Sequence, residues 1–174
     1  MRPGAAAGQA LDALRRQFDD GFAQAPAALA AAPLALLAIR AGDCAYALRL
    51  AQIAGLHADR HITALPGALP ALLGVSGFRG QVAPVYDLAA LLGHERAAAP
   101  RWLVLVRGPQ PLALAFDAFE NHFTAAAEQI MPAGAARPWA TVEGELGARP
   151  LIELPALFDD IRRQADLASR QRSA

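Results

Sequence analysis

Cysteine is almost absent from this chain. Cys44 is the only one in 174 residues, which excludes an internal disulfide framework and suits a reducing compartment. Net charge is absent as well: 16 basic residues balance 16 acidic ones, so no basic stripe is offered to nucleic acid. The composition is 55% apolar and rich in alanine. Even so, no apolar run reaches the roughly 18 residues that a membrane-spanning helix needs, so no direct insertion into a membrane is expected. The opening Met1-Arg2-Pro3-Gly4 and its alanines look superficially like an export signal, but Asp12, Arg15, Arg16, Asp19 and Asp20 interrupt any apolar core. These absences lead us to expect a cytoplasmic protein large enough for one ordinary domain or two very small ones.

Catalytic motifs are missing too. There is no phosphate-cradling Gly-x-x-x-x-Gly-Lys and no Gly-x-Gly-x-x-Gly after a strand. Gly74-Val75-Ser76-Gly77 has the look of a serine nucleophile turn, yet Gly77 comes one residue early, Phe78 replaces the second glycine, and no strand-turn-helix follows. Glu143 and Glu145 share a face if 141–146 is a strand. Nothing sets a second catalytic group beside them or beside Glu153, so they read as exposed strand residues. His57 and His61 are four apart with Asp59 between them, which on a helix is metal-ligand spacing. Asp59 would point away from that face, so solvated polar residues in a connecting segment are the plainer reading. A small-ligand- or metal-binding barrel using His57 and His61 is kept as the alternative function. Cys44 reads as a small apolar residue in a strand. The expectation is no catalytic residue, no metal, no cofactor and no enzyme.

What the chain does have is a stretch from Gly74 to Gly93 that organises the rest. Gly77 and Gly80 bracket Phe78 and Arg79, so the backbone can turn with positive φ on either side of two large side chains. Gln81 to Tyr86 is a second β-prone run. Pro84 lies inside it, which puts this strand at an edge or turns Pro84 to its unpaired side. Asp87 stands where a helix N-cap belongs, and Gly93 can close the helical turn in a left-handed conformation. Gly77, Gly80, Pro84 and Asp87 are thus the turn and framework residues. Arg79 has two readings, a salt bridge that pins the turn or a recognition residue beside Phe78, since arginine and aromatics are enriched at interfaces.

Around this centre, Leu34 to Ile39 and Cys44 to Leu50 read as a hairpin about Gly42-Asp43, and Ala51 to His61 as helical or irregular. Trp102 to Val106 and Leu112 to Phe116 read as strands, the first buried on both faces. Ala125 to Ile130 reads as one helical turn, and Thr141 to Leu146 and Leu151 to Leu154 as short strands about Gly147. Residues 9–24 read as a helix with Leu11, Leu14, Phe18 and Phe22 on one side, followed by an Ala/Pro linker to residue 33. This helix covers a patch of the domain or docks a partner. Pro155 to Leu167 forms a last helix with Leu157, Phe158, Ile161 and Leu167 on its apolar side. Short strands, hairpin turns and only flanking helices point to a mainly β, antiparallel architecture, with small barrels and a seam near 94–100.

The run Gly77-Phe78-Arg79-Gly80 followed by Val82-Ala83-Pro84-Val85-Tyr86-Asp87-Leu88 resembles the Asn-Leu-Arg-Gly…Val-x-Pro-Val-x-Asp-Leu signature of the CheW-like domain, the adaptor of bacterial chemotaxis arrays. The resemblance extends over residues 34–165. It includes Tyr46, the proline loop Pro66 to Pro70, Asp117, Glu128-Gln129-Ile130 with Pro132, and Leu151 to Leu154 with its helix. It implies two small five-stranded β-barrels sharing a hydrophobic core, the first over about 34–93 and the second over about 101–154, with flanking helices and a tail at 155–174. It also implies a non-enzymatic adaptor between the cytoplasmic tip of a chemoreceptor and the regulatory domain of a CheA-type histidine kinase. On this resemblance the receptor-binding residues would be Ile53, Gly74, Phe78 and Arg79. Two departures stand out. Where the family has Val-x-Glu-Ile this chain has Ile53-Ala54-Gly55-Leu56, and Gly77 replaces the asparagine of the signature. With the additional N-terminal residues, these departures point to an accessory system such as pilus or surface-sensing control.

Overall fold

A computed structural model describes residues 32–65, 69–95, 100–134, 139–145 and 147–172. The helix and linker expected before residue 34 lie outside the described residues but for Ala32 and Pro33. Strand β1 (Leu34–Ala41) turns at Gly42, φ 59°, into β2 (Cys44–Arg49). A 3-10 turn (Leu50–Gln52) leads into β3 (Ile53–Ala58). Next come β4 (Leu72–Phe78), β5 (Gln81–Asp87) and a single helical turn (Leu88–Leu91), then β6 (Trp102–Val106) and β7 (Leu112–Phe116). The chain continues through β8 (Ala118–Ala125), a 3-10 turn (Ala127–Gln129), β9 (Ile130–Met131), β10 (Ala140–Gly144) and β11 (Gly147–Ile152), and ends in a helix (Leu154–Arg172). The expected hairpins, the turn about Gly147 and the last helix are all present. The segment expected to be helical or irregular at 51–61 is mainly strand β3, because Ile53 and Leu56 are held by pairing to β6, a contact some fifty residues away in the chain.

The architecture is mainly β. Among the described residues the strands form a six-stranded sheet in the order β8-β1-β2-β11-β10-β9 and a five-stranded sheet in the order β3-β6-β7-β5-β4. The seam does not fall at 94–100. The five-stranded sheet takes β6 and β7 from beyond that connector, and it interrupts the six-stranded sheet, which is built from residues 34–49 and 118–152. The first hairpin binds late strands on both sides: β1 pairs antiparallel with β8, and β2 pairs parallel with β11.

Strict alternation along the strands makes three apolar layers. Leu37, Ile39, Tyr46, Leu48 and Ile152 of one sheet face Val104, Val106, Leu112, Leu114 and Phe116 of the other in a shared layer. The alternate residues Leu103, Ala113, Ala115, Ala83, Val85 and Phe78 form a cluster on the far face of the five-stranded sheet. Leu36, Ala47, Val142 and Leu151 do the same for the six-stranded sheet. The last helix adds Leu157, Phe158 and Ile161 to the shared layer, whereas Leu167, expected on its apolar side, is 60% exposed. A polar junction seats this helix: Gln52 Oε1 accepts from Leu154 N at 3.1 Å, while Gln52 Nε2 and Arg49 Nε donate to Glu153 at 2.8 and 3.0 Å. Glu153 is therefore a structural anchor.

Both ends of the five-stranded sheet bend toward each other. The chain after β3 bridges to β4 through Thr63 N to Val75 O at 2.8 Å and Val75 N to Thr63 O at 2.9 Å. This approach requires Gly74, whose φ is 149° and at which a Cβ would lie 2.1 Å from Thr63 O. Gly74→Ala should therefore cost about 2–4 kcal/mol, measured by urea unfolding, because backbone on the facing segment cannot give way as a side chain can.

Candidate functional site

The β4–β5 hairpin closes on the pair Phe78–Gln81 with only Arg79 and Gly80 between them. Both have positive φ, 45° at Arg79 and 83° at Gly80. Two-residue hairpin loops take this mirror-image turn because it matches the strand twist. Gly77, expected to supply one of the left-handed positions, does not. It is an ordinary strand residue with open space beside its Cα, and Arg79 takes the unusual conformation itself. For a residue with a Cβ that costs roughly 1–2 kcal/mol. The tertiary frame holds it there, since Phe78 is 3% exposed and packs inward with Ala83 and Val85.

The arginine is exposed and makes no hydrogen bond or ion pair among the described residues. The pinning salt bridge considered from sequence is thus not formed there. Of the other three residues assigned to recognition, none is at the surface. Ile53 is 5% exposed in the shared layer, Gly74 is buried under Thr63, and Phe78 is core. Phe78 corrects the expectation of an aromatic anchor: alternation points it to the concave face, where its ring lies 5.0 Å from that of His57. Pro84 lies in an internal strand, but the ladder from β5 to β7 begins only at Val85, so the proline interrupts no pairing to β7. Asp87 caps the following helical turn, its Oδ1 accepting from Ala90 N at 3.1 Å, and Gly93 takes φ 80°.

His57 and His61 do not share a helical face, since His57 lies in strand β3 and His61 beyond it. The spacing argument for a metal loses its basis, and no group of three metal-ligating side chains occurs among the described residues. The imidazole of His57 folds back over Gly55, with Nε2 2.9 Å from the point where a Cβ would stand. Its pKa is held below 6.5 by burial first, then by the charges of Arg60 and Arg79. Those charges gather on one side of the sheet end. Next to them Val82 is 65% exposed opposite bare Gly77. A groove of about 350 Å³ runs beside it, lined by Arg60, His61, Thr63, Val75, Gly77 and Val82. Arg60 and Val82 were not found from the sequence. Val82 lies in an apolar run, where nothing in the sequence marks it as the residue that faces out.

A family model of the CheW-like domain matches residues 35–160. The chain is 30% identical over 140 residues to a Rhizobium etli protein described as a probable chemotaxis protein CheW, an alignment covering 75% of this chain and 90% of that one. Its fold is similar to the crystal structure of the scaffolding protein TtCheW from Thermoanaerobacter tengcongensis, with a TM-score of 0.64 and 18% identity over 70% of this chain and 89% of the other.

The depressed pKa of His57 fixes the sign of a pH effect. Folding favours the neutral imidazole, so its contribution is complete above the unfolded value near 6.5 and is lost as pH falls through it toward the lower folded value. Unfolding free energy should decline across that window. In Arg79→Asn the imidazole pKa, followed by NMR titration, should rise but stay below 6.5, because burial, the largest cause, remains.

Proposed function

This chain belongs to the CheW-like domain family, and we propose that it acts as a chemotaxis-type adaptor, coupling the cytoplasmic tip of a chemoreceptor to the regulatory domain of a CheA-type histidine kinase. In this reading it works in the cytoplasm, reaches the membrane only through receptor arrays, and makes or breaks no bond. The observation that carries the docking assignment is Arg79, an exposed cation with no carboxylate partner among the described residues, held on a two-residue turn next to exposed Val82. Unpaired arginine and bare apolar surface together are what an interface core uses. Gly74 and Phe78 serve that contact from behind, by fixing the sheet end that carries the turn, while Ile53 belongs to the shared layer.

Two finer points belong to the same reading. Each sheet is assigned a barrel. The Thr63–Val75 bridge and the His57–Phe78 contact draw together the two ends of one sheet. In the other, a Cβ at Gly144 of β10 would meet the ring of Phe123 of β8 at 3.3 Å. The output is assigned to an accessory system such as pilus or surface-sensing control, on the ground that Gly55 and the His57 ring stand where the family's glutamate would. Weak individual contacts of this kind gain strength when many copies share a lattice.

Arg79→Asn separates docking from folding, since asparagine accepts the left-handed conformation more readily. Its stability by urea unfolding should equal or exceed wild type. Its affinity for the kinase regulatory domain or for a receptor signalling fragment, by calorimetric titration, should fall at least about tenfold. Undiminished binding to both would sink the assignment of the turn. Val82→Glu should act in the same direction.

A further inference from the structure

The six-stranded sheet carries a charge on its inner face. Arg149 of β11 pairs across to Val142 and stands two residues from Leu151. Val142 and Leu151 both belong to the inner apolar cluster, so alternation puts the Arg149 side chain among them, and the residue is only 6% exposed. A buried guanidinium is costly unless its donors and charge are met. They are met in part. Arg149 Nη1 lies 2.5 Å from Glu120 Oε2, and the other oxygen of Glu120 is 3.5 Å from Arg40 Nη1. Glu120 reaches this position as the extra residue of a β-bulge, because Ala38 pairs with Asn121 and Ile39 with Phe119. Burial alone would raise its pKa, but Arg149 and then Arg40 outweigh this and lower it, so it stays a carboxylate. Two guanidinium groups on one carboxylate leave one positive charge. Arg149 Nε and Nη1, both out of reach of solvent, have no hydrogen-bond partner among the described residues, so Glu120 meets the charge as an ion pair and leaves these donors unmet.

The same side chain lines a cavity of about 360 Å³, within the range of small-molecule sites. Phe123 and Gly144 give it an apolar wall; Asn121, Thr124 and Gln129 give it polar groups. Gln129 is already tied, accepting from Ala126 N at 2.8 Å and donating to Glu143 O at 3.3 Å, so it frames the opening. Glu145 on the rim opposes a second negative charge. Independently of the docking surface, we propose that this cavity binds a small organic monocarboxylate, its charge against Arg149 and its apolar body against Phe123. Arg149 lines the cavity with the side chain that carries the unmet donors.

The arginine Nε–H resonance reports this directly in ¹⁵N-edited NMR. Titrating the full chain with hexanoate or benzoate should shift the Arg149 signal saturably, with Kd on the order of 1 mM. Hexanol, succinate and inorganic phosphate should leave it in place. Thr124→Trp, a change at an exposed position on the rim, should abolish the shift while the remaining spectrum stays folded. Arg149→Lys should weaken binding, read from the Phe123 ring signals, at least about tenfold. The proposal is overturned if neither acid moves the signal up to about 50 mM, if hexanol or phosphate does as well, or if Thr124→Trp still binds. Should Arg149→Lys fail to fold, the Thr124→Trp titration decides alone.

Discussion

Strands buried on both faces constrain everything else in this molecule. In β7, all five residues from Leu112 to Phe116 are buried. Such a strand cannot lie in a sheet with one solvated face. The five-stranded sheet must therefore be covered on both faces. The shared layer covers one with large side chains, Phe116 and Leu114 among them. The concave side carries small ones: Ala83, Ala113 and Ala115 leave the room that Phe78 fills. Gly74 belongs to the same solution, since it lets the end strand come into bonding distance of Thr63.

That curvature places the turn. Phe78 is drawn inward, so the next residue must leave the sheet at once, and Arg79 does so in a conformation that most side chains avoid. Strain of this kind persists where the surroundings over-determine it. The turn fixes the backbone that carries Arg79 and leaves its exposed side chain free.

The two sheets treat charge differently. At the hairpin, Arg79 and Arg60 stand near an imidazole that burial and their own charges keep neutral. On the face of the other sheet turned away from the shared layer, Arg149 is buried and a bulge delivers its carboxylate. The first charge lies at the surface and the second is buried beside a cavity.

The sequence by itself determined the hairpin turns, the helix cap and the family, but not strand β3, which depends on pairing to β6. Hairpins at Gly42, Arg79-Gly80 and Gly147, the Asp87 cap and the mainly β class follow from interactions a few residues long, and the Arg79 to Leu88 signature is contiguous. Tertiary structure alone decided which strands share a sheet. The pairings of β1 with β8 and β2 with β11 join positions from 78 to 104 residues apart, and neither apolar partner carries a mark of the other. It also decided which side chains face out. Phe78 and Val82 lie in the same stretch, yet alternation within a curved sheet buried one and exposed the other. The β8 bulge that aims Glu120 at Arg149 was equally hidden, because a bulge is a mismatch between two strands and has no signature in either one.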